Sequence, residues 1–231
     1  MPEKIIGILG GMGPEATIDL FYKIIKSTPA EKDQEHLRII IDNNPKIPDR
    51  TAAILGKGED PLPDLQETAR NLEKAGADLI IIPCNTAHYF LTSIQESVKI
   101  PILNMIEETA KETQRKTPQI KKVGLLASIG LYKTEIYHQH FKKFNIEIIS
   151  PEEKDKEEVM KVIYAVKAGD LSNKAKDNIL KIVQKLIDKR AEAIITGCTE
   201  ISLLLKEGDV SVPVIDPTQI LAKIAIQKAR W

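Results

Sequence analysis

The chain predicts an α/β fold made of two similar domains, each a mostly parallel sheet flanked by helices, related by pseudo-twofold symmetry with a cleft between them. Two observations carry this expectation. Short apolar runs alternate with amphipathic helical stretches along the whole sequence, the pattern of strand–helix–strand units. The sequence also repeats itself. AGADLIIIPCNT (75–86) aligns without a gap on KRAEAIITGCTE (189–200), so that Cys84 falls on Cys198 at an offset of 198 − 84 = 114. GILGGMGPEAT (7–17) falls on GLLASIGLYKT (124–134) at 124 − 7 = 117, and IPILNM (100–105) echoes VPVIDP (212–217). The expected domains are residues 1–102 plus 214–231, and residues 103–213.

The elements follow in order. KIIGIL (4–9) reads as a strand ending in the glycine turn GGMG. The helix PEATIDLFYKIIKST follows, with Pro14 in its first turn and Ile18, Phe21, Tyr22 and Ile25 at helical spacing. LRIIID (37–42) is the next strand. The stretch 42–63 is rich in Pro, Gly, Asn and Asp and reads as a long surface loop with one helical turn. LPDLQETARNLEKAGA is a helix stopped at Gly76, DLIIIP a buried strand, and NTAHYFLTSIQESV a helix opening at Asn85. The strand IPILNM and the helix IEETAKETQRKT close the first half. The second half repeats the alternation: KKVGLLAS, helix LYKTEIYHQHFKKF, IEIISP, two helices through KRA, EAIITG, helix TEISLLLKEG, VPVID and a last helix PTQILAKIAIQKA.

Bulk properties exclude several classes. At 231 residues there is room for two units of roughly 100 residues each. Lys plus Arg and Asp plus Glu are both 33, giving a formal net charge of zero, so nothing recommends a nucleic-acid or anionic-membrane surface. No apolar run approaches the roughly 18 residues needed to cross a bilayer, and the first residues lack the basic and apolar segments of a leader. A cytoplasmic protein is expected. Two cysteines 114 residues apart lack the local spacing of a zinc site. His138 and His140 lie two apart on an expected helix and point to different sides, so no metal is expected.

Both cysteines sit where an apolar strand stops and a helix starts, the edge of a parallel sheet at which ligands bind. The positive end of the peptide dipoles there favours a thiolate, and Asn85 and Thr199 are good capping types. Most free cysteines are small buried apolar residues; duplication at equivalent positions argues against that reading for this pair. Two sulfurs approaching one carbon from opposite faces would each lie about 3 to 3.5 Å from it. They would then be about 7 Å apart, too far for a disulfide of about 2.05 Å. At an effective dielectric near 20, two thiolates at about 7 Å repel by about 2.4 kcal/mol, so one stays protonated while the other ionises. That suits an enzyme that removes a proton from one face of a carbon and returns one to the other. Carbanion charge would be met by backbone N–H groups of the turn containing Gly11 and Met12, by those at the helix starts, and by Asn85, Thr86 and Thr199. Arg50 in the long loop, and Lys167 at a helix end, are cations able to hold a carboxylate, although composition alone would pick neither. GMGPEA (11–16) also matches a dinucleotide fingerprint; against it, Asp42 lies 42 − 16 = 26 residues beyond Ala16, and the repeat partner ASIGLY has lost most of its glycines.

ILGGMGPEAT, NNPKIPDRT, LGKGEDP, PCNTAH, MIEETAK, GCTEIS and VPVIDP together resemble the aspartate/glutamate racemase family, in particular the archaeal type of aspartate racemase, over nearly the whole chain. The resemblance implies Cys84 and Cys198 as the two acid/base residues, Asn85, Thr86 and Thr199 as binders of a small-molecule amino-acid substrate, and Arg50 and Lys167 as holders of its carboxylates. It further implies no pyridoxal phosphate, no metal and a homodimer. One departure stands out. Where relatives often carry threonines after the first strand of the second domain, this chain has Ser128, which keeps a hydroxyl, and Leu131, which does not, so the choice among aspartate, glutamate and broader substrates stays open. Related folds use similar cysteines for hydantoin racemisation, maleate isomerisation or malonate decarboxylation, and a ligand-binding or thiol-switch protein is the alternative outside catalysis.

Overall fold

The structure is a computed structural model and describes residues 3–230. The chain divides into two compact units, Met1–Glu108 with Thr218–Trp231, and Thr109–Pro217.

The first unit holds a parallel sheet of β1 (Ile6–Gly10), β2 (Ile39–Asn43) and β3 (Leu79–Ile81) in the order β2-β1-β3. A single bridge from Ile80 to Ile102 extends it, so the expected strand 100–105 shrinks to one pairing. Alternate residues of the strands serve two different cores, as a sheet covered on both faces requires. Ile6, Ile8, Leu79 and Ile81 face Leu20 and Ile24 of α1 (Pro14–Ser27), together with Leu221 and Ala225 near the chain end. Leu9, Ile80 and Ile82 face Leu65, Ala69 and Leu72 of α3 (Leu62–Lys74), which lies beyond the single turn α2 (Arg50–Ile54). On α1 the stripe that marks the helix in the sequence is not the buried one. Ile18 and Tyr22 are 67% and 56% exposed, while Thr17, Leu20 and Ile24 point inward.

Two expected helices are interrupted. After Cys84 the chain makes a 3-10 turn over Thr86–Phe90 and only then α4 (Leu91–Gln95). In a regular helix the His88 amide would bond the Cys84 carbonyl. Here the His88 side chain takes that carbonyl at 2.8 Å, and the amide bonds Asn85 instead at 3.1 Å, which is the tighter 3-10 pattern. α5 (Met105–Lys116) then leads into the second unit.

The second sheet is also parallel, with β4 (Lys122–Leu126), β5 (Glu147–Ile149), β6 (Ala193–Thr196) and β7 (Val214–Ile215) in the order β5-β4-β6-β7. The helix expected over 131–144 is two, α6 (Ile129–Thr134) and α7 (Ile136–Lys142), separated at Glu135 by a left-handed backbone with φ 53°. Tyr132 and Tyr137 are both buried, yet five residues apart on one helix they would face about 140° away from each other. The break lets both point inward. α8 (Glu153–Lys167) and α9 (Asn173–Asp188) cover the sheet face carrying Leu126 and Ile194, with α10 (Thr199–Leu204) beside them. α11 (Pro217–Arg230) returns the chain to the first unit. Among the described residues no helix is long and apolar enough to cross a membrane.

The repeat is reproduced bond by bond. Gly7 pairs with Ile80 in the first sheet, and their equivalents Gly124 and Ile194 pair in the second. The Ile80 amide bonds the Pro101 carbonyl at 2.9 Å, and the Ile194 amide bonds the Pro213 carbonyl at 2.9 Å. Even the acid at the strand start recurs: Asp78 accepts from the Ile5 amide and Glu192 from the Lys122 amide.

Candidate active site

In each unit the chemistry-bearing residues lie at the carboxyl end of the central strands, where a parallel sheet leaves its backbone groups open to a ligand. In the first unit the turn after β1 lies against the loop after β2. A Cβ at Gly11, whose φ is +95°, would come within 2.3 Å of the Asn44 backbone, so this close approach and this backbone both require glycine. The Gly11 amide donates to the Thr17 hydroxyl at 2.9 Å and is therefore engaged within the turn. Met12 is buried in the same apolar cluster as Cys84, Ile47 and Ala87.

Arg50 opens α2, which is capped by Asp49 accepting from the Ala52 amide and packs against the 86–90 turn. Arg50 is only 7% exposed. One terminal nitrogen, Nη1, donates to the carbonyls of Ile47 at 3.0 Å and Pro48 at 2.7 Å, and Nε has no partner. No carboxylate among the described residues pairs with it. A buried guanidinium held by neutral carbonyls is costly on its own and is the natural seat for an anion.

Cys84 is free, buried, and three residues beyond the end of β3. His88, 2% exposed, brackets its backbone. Nδ1 bonds the Cys84 carbonyl, while Nε2 accepts from the Met105 amide at 3.1 Å. Acceptance at Nε2 assigns the ring proton to Nδ1, so the imidazole acts as a neutral bridge between the strand edge and α5. Asn85 and Thr86 are buried beside it, and Asn85 makes no side-chain cap bond to the turn it precedes.

In the second unit Leu126 of β4 pairs with Thr196 of β6, and two residues further along each strand stand Ser128 and Cys198. Ser128 caps α6, its hydroxyl accepting from the Leu131 amide at 3.2 Å. Cys198 itself, rather than Thr199, occupies the cap position of α10; Thr199 is the first helical residue. The helices expected to favour thiolates are thus a five-residue 3-10 turn and a six-residue helix, too short to sum a large dipole. Lys167 is exposed at the end of α8, its ammonium 5.8 Å from the centre of the Tyr164 ring.

Sequence reasoning missed Glu200. It is 5% exposed, and its Oε2 accepts from the Cys198 thiol at 2.9 Å and from the Thr199 hydroxyl at 3.2 Å. The available signal was the repeat itself, since Glu200 stands where the first half has Thr86. Two buried phenols sense charge at this thiol. Burial pushes Tyr132 far above the usual phenol range, opposed by its hydrogen bond with the Ala127 amide and reinforced by charge at Cys198. Tyr137 is also pushed well up, by burial first and then by Asp216 and Cys198.

Each unit thus carries a buried cysteine outside any disulfide at an equivalent strand end, and the first unit adds the buried guanidinium of Arg50, whose Nε has no partner. Residues 9–225 match the family model described as Asp/Glu/Hydantoin racemase. The chain is 34% identical to Picrophilus torridus aspartate racemase, with a TM-score of 0.88 over 98% of this chain and 94% of that one. An aspartate racemase homologue from Pyrococcus horikoshii OT3 is 29% identical, with a TM-score of 0.78 over 99% and 100%. The broad specificity amino-acid racemase RacX of Bacillus subtilis is 28% identical over 228 residues, 96% of each chain. With its fold, its duplicated thiols and a match over almost its full length, this chain belongs to the Asp/Glu/hydantoin racemase family.

Proposed function

We propose that this protein interconverts L- and D-aspartate by a two-base mechanism with Cys84 and Cys198 as its thiol/thiolate pair, without pyridoxal phosphate or metal. The observation that carries the reading is the equivalence of the two thiols, each just past the central strand pair of a sheet with the same register. In one direction the thiolate of one cysteine takes the α-proton and becomes a thiol. The other thiol then delivers its proton to the opposite face and is left as the thiolate. No sulfur–carbon bond forms, and the proton count of the pair is unchanged over the turnover. Arg50 supports a substrate carrying an additional carboxylate, because its buried charge lacks a protein anion. Asn85, Thr86, Thr199 and Ser128 would hold the amino and carboxylate groups, Gly11 and Met12 the turn beneath them, and Lys167 a carboxylate at the site's margin.

The test is incubation with L-aspartate in deuterium oxide with no added cofactor. Loss of the α-proton signal together with decay of optical rotation is expected, and Cys84→Ala or Cys198→Ala should each abolish racemisation. A Cys198→Ala protein that racemised at the parental rate would overturn the two-base assignment. The RacX likeness favours one second reading, a broader amino-acid racemase; a screen of Asp, Glu, Ala and Ser separates the two. We also infer a cytoplasmic homodimer, supported by the family resemblance and by the exposed Ile18 and Tyr22 one turn apart on α1; light scattering tests the oligomer.

A further inference from the structure

The two thiols occupy equivalent places in the repeat, but their surroundings differ. In the first half the residue two positions after the cysteine is Thr86; in the second it is Glu200. Glu200 Oε2 accepts from Cys198 at 2.9 Å and from Thr199 at 3.2 Å, with both acid and thiol buried. A carboxylate bonded to S–H opposes loss of that proton, because ionisation would set two anions in contact. α8 and α9 present Val159, Met160, Ile163, Ile179 and Ile182 to the cluster containing Cys198; the titratable groups that sense charge at Cys198 are the phenols of Tyr132, over whose ring α8 sets the Lys156 ammonium at 5.1 Å, and of Tyr137, which is beside Asp216. Among the described residues no carboxylate bonds the Cys84 sulfur. Its unit instead supplies the unpaired guanidinium of Arg50, on the helix packed against the 86–90 turn.

We propose, on the reading of Cys84 and Cys198 as paired base and acid, that Glu200 is a positioning residue that keeps Cys198 protonated in the resting protein, so that Cys198 is the resting proton donor of the pair. The resting protein is thus poised to deliver a proton from the Cys198 side. Turnover in that direction leaves Cys198 as thiolate against Glu200, the less favoured form, and proton exchange with water restores the starting one.

Peptide-resolved alkylation by iodoacetamide, followed by mass spectrometry from pH 5 to 10, reads the two thiols separately. The exposures of Cys84 and Cys198 are 7% and 9%, so access does not prejudge the order. At pH 7 Cys84 should react at least about tenfold faster than Cys198. Glu200→Gln should lower the pH midpoint of Cys198 by about one unit or more and leave that of Cys84 in place, with Glu200→Asp in between. A general loosening of the fold would speed both cysteines without moving one midpoint. An unmoved Cys198 midpoint in Glu200→Gln overturns the proposal. If that variant does not fold, the parental order decides alone, and Cys198 reacting first or equally overturns it. The assay needs no substrate: a protein with the expected order that exchanges no α-proton refutes the racemase reading only, whereas one that racemises with the order inverted refutes the role of Glu200 only.

Discussion

At the scale of single residues, His88 and Arg50 carry opposite lessons. His88 has both ring nitrogens engaged between the Cys84 carbonyl and the Met105 amide. His88→Ala leaves two buried backbone groups to find new partners, each worth about 1 to 3 kcal/mol, so a loss near 3 kcal/mol in urea unfolding is expected. A change below about 0.5 kcal/mol, the range of an ordinary surface substitution, would show that the bracket contributes nothing. Arg50 is the reverse case, a buried charge with an unsatisfied Nε. Arg50→Met should leave the ligand-free protein within about 1 kcal/mol of the parent, because removing an unpaired buried charge offsets the lost hydrogen bonds. L-Aspartate at a hundred times its Kd should stabilise the parent by about 2.7 kcal/mol and the variant far less, which thermal scans with and without aspartate would reveal. The cysteines were legible in the sequence because duplication marks them. The contact of Glu200 with Cys198 was not, since a glutamate one residue past a capping threonine reads as an ordinary first-turn acid until the helix start turns its carboxylate back onto the thiol.

Among the elements, the central strands depend on a glycine that lets a helix lie close. A Cβ at Gly7 would sit 3.0 Å from Ala77 and 3.4 Å from Leu72; one at Gly124 would sit 2.7 Å from Ile194 and 3.1 Å from Leu186. Leu72 and Leu186 are themselves repeat equivalents, on α3 and α9. α5 carries a different kind of support. Arg115 and Lys116 pair with Glu112, and the Arg115 hydrogen bond above all holds the Glu112 carboxyl at about 2, below its usual 4.5. A depressed carboxyl contributes stability that is complete above its unfolded value and is lost as pH falls towards the folded one. Unfolding free energy should therefore drop by about 1 kcal/mol between pH 5 and pH 2 through this group, after allowing for solvent screening, and Glu112→Gln should flatten that part of the pH profile. Element type was legible where periodicity was long, as in α3, α8 and α9. It failed where side chains overrode the backbone pattern: His88 displaced its own amide from the Cys84 carbonyl, and two inward tyrosines five apart required the break at Glu135.

Across the whole molecule, the gapless alignment of two twelve-residue stretches foretold both sheets, because a register repeated in sequence is a register repeated in hydrogen bonds. The helix faces were less legible: α1 carries apolar residues on two sides, and only packing tells Leu20 and Ile24 from Ile18 and Tyr22. Duplication makes a quantitative demand on stability. Gly7→Val and Gly124→Val insert the same bulk at the same strand position under equivalent helices, and each should cost about 1 to 3 kcal/mol as overpacking. Their neighbours are disjoint, Ala77 and Leu72 for one and Ile194 and Leu186 for the other, and each set belongs to a different compact unit. Without shared partners the two penalties should add to within about 0.5 kcal/mol in the double variant. The measurement is chemical unfolding followed by circular dichroism for the parent, both singles and the double. A coupling above about 1 kcal/mol would mean that strain at one glycine is transmitted to the other core. The two halves would then be one cooperative body whose repeat survives in geometry alone.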